Sequence, residues 1–343
     1  MVIEHNLIST EQLIQQFQTD NQLQLDCDYE ALYILPEIDE DTIYLSRHCS
    51  TTLLLLYLYH EGDYTFRKLV LLYILAYKNL QRLNLSNANE LIKRIEDSLN
   101  SFAFKVKTDD YGINLDFLYK FLIGHELGHF LFRTNKSLLL EKTKAVAHDL
   151  NDVYASSKDY KSKIIGNIFS KDIISNQNIL EELACDREGI KTLFMVYSPI
   201  LNDESQIRFL IHQLLRIMSM LQLYSNVEQY GKLSIFKRGF RPSINNHFFD
   251  IARVANILFG IMDIVGIEKL DKNLPDIFTA EVMSYHNVLR NMLRFGLRDI
   301  VLLSSFENGK MEEDADRYSQ LSEKFSCLSE DLFSSLCKMI NSK

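Results

Sequence analysis

Helix-breaking residues are scarce in this chain, with 12 glycines and 4 prolines among 343 residues. That scarcity, together with apolar residues recurring at helical spacing, argues against a turn-dense all-β protein and for a mostly helical one. Cysteine is sparse too. Cys27, Cys49, Cys185, Cys327 and Cys337 are odd in number and show no C-x-x-C spacing. This suits free, mostly buried thiols in a reducing compartment rather than a disulfide framework. Long hydrophobic runs are missing. The most apolar stretches, Leu53–Tyr59 and Leu69–Tyr77, fall far short of the ~20 residues that span a bilayer. The opening residues Met1-Val2-Ile3-Glu4-His5 form neither a basic n-region nor an apolar h-region, so no secretory signal is evident. Positive charge is also short, at 37 Lys and Arg against 46 Asp and Glu for a net −9. That balance argues against a general nucleic-acid or anionic-membrane binder. A soluble, cytoplasmic protein is expected.

Apolar content, by contrast, is ample at 47%, enough for a sizeable core in two domains or one large one. Residues 1 to about 60 read as mixed. Thr10 to Ile14 looks like a capped helix start, and Ala31–Leu35 and Thr42–Leu45 read as short strands about the turn-like Pro36 to Asp41. Helical spacing runs from Tyr64 to Leu85 and again from Asn87 to Leu99, with a joint at Ser86. Ser101 to Lys107 then alternates, and Asp109-Asp110-Tyr111-Gly112 reads as a turn. This is either a hairpin feeding the next helix or a connector that merely alternates. Residues 134–179 are polar and lysine-rich and read as an insertion over or beside a site. From Leu180 the pattern is nearly all helical, interrupted at Pro199, at the basic run Lys232, Lys237, Arg238 and Arg241, and near Asp271 to Pro275. The basic run reads as a solvated loop, with substrate contact as the alternative.

The chemistry gathers at Gly124-His125-Glu126-Leu127-Gly128-His129, an H-E-x-x-H inside the apolar run Phe117 to Phe132. Four residues apart on a helix, His125 and His129 share a face and can reach one metal ion. Glu126, beside the first ligand, is placed to take a proton from a metal-activated water. Asn114 or Asp116 can cap this helix, and Arg133 and Lys136 lie near its end. Gly124 and Gly128 make a smooth groove for a close neighbour. The bland alternative is a helix whose histidines are hydrogen-bonded core residues.

Catalytic zinc needs a third protein ligand and an open fourth position. Glu181-Glu182-Leu183-Ala184-Cys185-Asp186 supplies a candidate. Glu182 and Asp186 share a helix face, so Glu182 can bind the ion while Asp186 accepts the far N–H of a ligating histidine. Glu181 ranks second as ligand, and the small Ala184 and Cys185 suit a helix packed tightly on the first.

H-E-x-x-H followed by E-x-x-x-D resembles the signature of the gluzincin metallopeptidases. Within them the chain looks most like the CAAX prenyl protease and heat-shock membrane-protease group, and about as much like soluble phage-exclusion-type H-E-x-x-H peptidases. Asn100-Ser101-Phe102-Ala103 resembles the family's Asn-Ala-Phe-Ala lead-in to an edge strand. Glu182 to Gly189 resembles its E-x-x-A-D-x-x-[AG] run, with Cys185 where Ala is usual. His247 to Val254 resembles its H-P-x-x-x-x-R-[IL] element, with Phe248 in place of Pro. The resemblance implies His247 as oxyanion donor, with His286 the alternative from the residues alone, and Arg253 as brace of the site carboxylates. The family's membrane-spanning segments are absent from this sequence.

The expectation is therefore a mainly α fold with a small β-hairpin or sheet beside the active-site helix. It comprises a mixed α/β module at 1–99, a zincin-like core at 100–260 with the insertion at 134–179, and a helical region at 261–343. The expected activity is zinc-dependent endopeptidase hydrolysis of a narrow protein target, with Zn2+ on His125, His129 and Glu182. Glu126 would be the general base, Asp186 the support of a ligand, and His247 and Arg253 would assist. The implied partner is a protein or peptide substrate, with neither nucleic acid nor a membrane span. The alternative is a binding or regulatory helical protein with a latent or inactive metallopeptidase domain. A structural zinc site is disfavoured, because such sites are usually closed by four ligands, often Cys.

Overall fold

Helix α1 (Thr10–Asn21) opens on a capping box, in which Ser9 and Gln12 each accept from the other's backbone N–H. It closes where Gln22 turns left-handed, at φ 54°. The computed structural model describes residues 9–59, 61–101, 114–156, 174, 176–197, 204–230, 252–253, 256–257, 259–264 and 310–341. A three-stranded sheet follows α1, built from β1 (Asp26–Asp28), β2 (Glu37–Asp39) and β3 (Thr42–Tyr44) in the order β1-β3-β2. β1 runs parallel to β3 and β2 antiparallel to it, with Ile38 opposite Ile43.

This corrects the expectation of a strand at Ala31–Leu35. Ile34 is fully buried, but as part of a loop, and the ladder begins only after Pro36, which has no N–H to give it. The turn is Glu40-Asp41, with Glu40 at φ 47°. Alternation then puts Ile43 and Ile38 on the core and leaves Glu37 and Asp39 exposed.

Helix α2 (His48–Leu58) is buried nearly all round, an apolar run with no polar stripe. Helix α3 (Tyr64–Gln81) starts at Asp63, whose side chain accepts from the Phe66 N–H at 2.9 Å. Helix α4 (Leu85–Ser101) starts earlier than its periodicity suggests. Its first turn is held from far along the chain: the Ser86 N–H donates to Glu312 at 2.9 Å, and the Glu312 N–H donates to the Leu83 carbonyl at 2.9 Å. The joint is therefore Arg82 to Asn84, with Leu83 at φ 55°.

Helices α5 (Leu115–Thr134), α6 (Lys136–Ser156) and α7 (Gln177–Tyr197) pack together and carry the candidate site. Helix α8 (Glu204–Tyr230) lies against α2, α3 and α5, and α9 (Ala315–Asn341) against α2, α3 and α4. One hydrophobic cluster runs from Leu13 and Ile14 through α2, α3, α4 and α5 to Phe325 and Ile340, so residues of all three expected segments share it. A second cluster joins Leu131 and Phe132 of α5, Leu139, Val146 and Leu150 of α6, Leu180 and Leu183 of α7, and Ala252. The first half of the 134–179 segment is thus a helix with a buried face. The fold is mainly α with a small mixed sheet. The expected hairpin falls at residues 102–113, outside the described residues. Among the described residues no helix is long and apolar enough to cross a membrane.

Candidate metal centre

Asn114 caps α5, its side chain accepting from the Phe117 N–H at 3.0 Å. Asp116 instead turns to Lys120. The rest of the helix is apolar on nearly every side and buried accordingly. Its approach to α7 is set by glycine. A Cβ on Gly124 would stand 2.5 Å from Thr192 Oγ1 and 3.0 Å from the Gly189 Cα, and one on Gly128 would stand 3.2 Å from the Cys185 Cα. A Cβ on Gly189 would in turn meet the Phe121 carbonyl oxygen at 2.9 Å. The two helices therefore touch almost backbone to backbone. They run antiparallel, with Gly128 on Cys185 at one end and Phe117 against Tyr197 (5.3 Å between ring centroids) at the other.

That closeness brings short side chains from both helices to one point. The Nε2 atoms of His125 and His129 lie 3.6 Å and 3.5 Å from the two carboxylate oxygens of Glu182. One ligand atom from each of the three residues falls within 4.8 Å of the others. The two imidazoles stand nearly edge to face, 4.9 Å apart at 80°. Four ligands bound to zinc at ~2.0–2.1 Å stand ~3.3–3.4 Å from one another in a tetrahedron. The spacings of 3.5 and 3.6 Å run to different oxygens of Glu182. With one atom from each residue within 4.8 Å, the three side chains can hold a metal ion after closing in by about an ångström towards that edge.

Asp186, one turn after Glu182, is completely buried and lies 3.0 Å from His125 Nδ1. Contact at that nitrogen leaves Nε2 facing Glu182. Arg253 grips the same carboxylate with two hydrogen bonds, from Nε at 2.6 Å and from a terminal nitrogen at 2.8 Å, and stands 3.8 Å from Glu182. The partner of His129 is Glu181, whose carboxylate is 3.7 Å from Nδ1. Glu181 thus sits at the far side of that ring, away from the three converging atoms. His247 lies outside the described residues.

The electrostatics follow from this packing. Burial works against charge on His125, yet Asp186 and Glu182 outweigh it and hold its pKa up at about 10. Burial and the neighbouring His125 charge lower that of His129. Burial would raise Glu182, but His125, Arg253 and His129 pull it down to about 2. Asp186 is likewise held low against its burial, chiefly by Arg253. Glu126 goes the other way. Burial, with the charges of Glu182 and Glu37, lifts it to about 7, partly offset by His125 and by the backbone N–H of Ile38. Strand β2 packs against α5, so this edge of the sheet borders the candidate base. Burial pushes the Cys185 thiol up, which leaves it a neutral spacer against Gly128.

Sequence reasoning missed three neighbours of the site. Glu181 as a support for His129 was visible only as a second-choice ligand. The contact of β2 joins residues far apart in the chain and has no local signal. Asn256, whose side chain donates to the Leu183 carbonyl at 2.7 Å and accepts from Arg187 at 2.8 Å, also holds α7 in place. Its only mark in sequence is its distance of three residues from Arg253. No family model, no curated protein and no solved structure matches this chain.

Proposed function

We propose that this protein is a zinc-dependent endopeptidase of the gluzincin kind, acting on a polypeptide substrate in the cytoplasm, with neither nucleic acid nor a membrane span involved. The observation that carries the reading is the approach of both Nε2 atoms to one carboxylate, with Asp186 behind His125. Two nitrogens and one oxygen would hold a four-coordinate ion with one position open, as hydrolytic sites require and structural sites usually do not. When bound, such an ion supplies Lewis-acid activation of water and of the scissile carbonyl.

The chain's own residues do the rest. Glu126, with its pKa raised to about 7, is matched to collect the attacking water's proton near neutral pH and pass it to the departing amine. Asp186 fixes the ring of His125, and Arg253 fixes Asp186. The role of oxyanion donor falls to His247 by resemblance alone.

The test is metal analysis of the purified protein and of three variants, with digestion of casein and of a proteome extract. One zinc per chain is expected, lost in His125→Ala and in Glu182→Ala, and retained in Glu126→Gln with turnover abolished. Zinc that survives both ligand substitutions, or a fully active Glu126→Gln enzyme, overturns the reading.

The packing of β2 beside Glu126 favours a second reading, a latent metallopeptidase domain in a binding or regulatory protein. That form would bind zinc stoichiometrically and leave both casein and the extract intact.

A further inference from the structure

The α5–α7 pair buries a second charged cluster at the end away from the candidate metal centre, and the chemistry above does not use it. Lys120 is fully buried, and its Nζ lies 2.7 Å from Asp116 Oδ2, one turn earlier on α5. The same oxygen accepts from the Tyr197 hydroxyl of α7 at 2.5 Å. The lysine nitrogen also stands 5.8 Å from the centroid of the Tyr197 ring. Replacing a buried ion pair by apolar side chains of similar size is often neutral or stabilising, because desolvation consumes most of the attraction. Stability alone is therefore a weak reason for this cluster. Register is a better one, and it is the best-attested use of buried polar groups.

The remainder of the α5–α7 contact resists a slip by steric fit alone. Gly124 and Gly128 are four residues apart on α5, and Cys185 and Gly189 are four apart on α7, facing them. Sliding α7 by one turn, ~5.4 Å, would set Cys185 on Gly124 and Glu181 on Gly128. Cys185 would come under Phe121 where Gly189 now lies, and its Cβ would stand 2.9 Å from the Phe121 carbonyl oxygen unless the helices part. The slip would also carry Glu182 away from His125 and His129. At the far end it would bring Leu193 opposite Asp116 in place of Tyr197, and Leu193 has no hydroxyl to donate. The half-buried Asp116 carboxylate and the buried Tyr197 hydroxyl would each lose a partner, which a folded chain resists.

We infer that Asp116, Lys120 and Tyr197 are positioning residues that fix the register of α7 on α5, and through it the meeting of Glu182 with the two histidines. The metal part of this inference rests on the peptidase reading; the register part does not. Two polar anchors, Asp186 on His125 at one end and Tyr197 on Asp116 at the other, pin the alignment that the glycine contacts between them admit.

The test replaces the whole cluster by apolar residues, Asp116→Leu with Lys120→Met and Tyr197→Phe, so that no charge is left buried alone. The thermal midpoint is expected to hold or rise, while zinc affinity, measured by chelator competition, falls about 10–100-fold, as for loss of a ligand's support. A third readout needs no metal. Spin labels carried on ketone side chains at Arg133 and Asn178, both exposed and at the site end of the pair, report the α5–α7 alignment. The variant is expected to show a second distance population displaced by about one turn, ~5 Å. An unchanged zinc affinity with a single unshifted distance overturns the inference. So does lost stability with unaltered affinity of the folded fraction, which is what a merely structural pair would give. Tyr197→Phe alone, expected to weaken zinc a few-fold, decides by the same two measurements if the triple variant does not fold. If the unaltered protein binds no zinc, the peptidase reading fails and the distance measurement still decides the register.

Discussion

His125 Nδ1 lies 3.0 Å from Asp186 Oδ1, and the opposite oxygen of that carboxylate takes the Nε–H of Arg253 at 2.6 Å. The chain Arg253–Asp186–His125 thus ties the segment after residue 251 to the helix that bears the histidines, through a carboxylate with no exposed surface. Its members do different work. Arg253 keeps Asp186 ionised, and Asp186 keeps the His125 ring turned so that Nε2 meets Glu182.

Substituting Asp186 separates these roles. Asp186→Asn preserves the shape and a carbonyl acceptor for His125 while removing the charge. Zinc affinity should fall by about 10–100-fold, the usual effect of losing a carboxylate behind a ligating histidine. Asp186→Ala additionally leaves the Arg253 guanidinium buried without its carboxylate, which costs about 3–5 kcal/mol. Chelator competition on folded protein reads the first effect, and urea unfolding reads the second. Equal stability of the two variants would show that Arg253 finds another anion.

Glycine at position 124 is expected to be necessary in spite of its cost within a helix. Alanine is favoured there by about 1 kcal/mol on propensity alone. A Cβ at that place, however, would lie 2.5 Å from Thr192 Oγ1 and 3.0 Å from the Gly189 backbone. The first contact can relax by a turn of the threonine, and the second requires the helices to part. Gly124→Ala should therefore destabilise by about 1–3 kcal/mol net and weaken zinc binding. Gly128→Ala, with its nearest contact at 3.2 Å, should do so less. Thr192→Ala in the Gly124→Ala background should restore part of the loss and not all of it. Denaturant midpoints for the three proteins check the order.

Much of this centre is legible in the chain because its parts obey helix spacing. His125 and His129, and Glu182 and Asp186, are pairs four residues apart, and an α-helix puts each pair on one face whatever surrounds it. The glycine groove and the small residues facing it are local signals as well. What escapes is set by tertiary burial. Ile34 sits in a loop and is as buried as a strand residue, so the apolar run Ala31–Leu35 imitates a strand. Leu139, Val146 and Leu150 give α6 a buried face, yet the lysines between them dominate its composition. Lys120 reads as a surface residue until Asp116 and Tyr197 are seen to enclose it. The first turn of α4 is held by Glu312, more than two hundred residues away, and no local pattern anticipates that.

The docking of α9 should be governed by a single aromatic anchor. Phe325 is fully buried and tilts against Tyr73 with ring centroids 4.9 Å apart, and it also approaches Tyr77 at 6.3 Å. Phe325→Ala removes most of that contact and leaves a cavity between α9 and α3, at a cost of about 3–5 kcal/mol. Hydrogen exchange should show protection lost first in α9, α3 and α4. Protection retained there would mean that α9 is held by its polar contacts, Ser329 with Tyr73 and with Thr51, instead of by its apolar face.

Acid should loosen the same interface through His48. The ring is buried at the start of α2, with Nε2 3.1 Å from the Ser326 hydroxyl of α9 and, among the described residues, no hydrogen-bond partner for Nδ1. Burial, aided by the charge of Arg47 and only partly offset by Glu330, lowers its pKa from 6.5 to about 4. Between those two values the unfolded chain binds a proton that the folded chain does not, so unfolding takes up a proton and stability falls as the pH falls. The histidine's contribution is complete above pH 6.5 and is lost progressively towards pH 4. Allowing for solvent screening around the exposed Arg47 and Glu330, its size is about 1–2 kcal/mol. His48→Gln can keep the bond to Ser326 and does not titrate. Urea unfolding at pH 7.5 and at pH 4.5 should show the unaltered protein losing about 1–2 kcal/mol more than the variant over this interval. Parallel losses in the two proteins would place the acid sensitivity elsewhere.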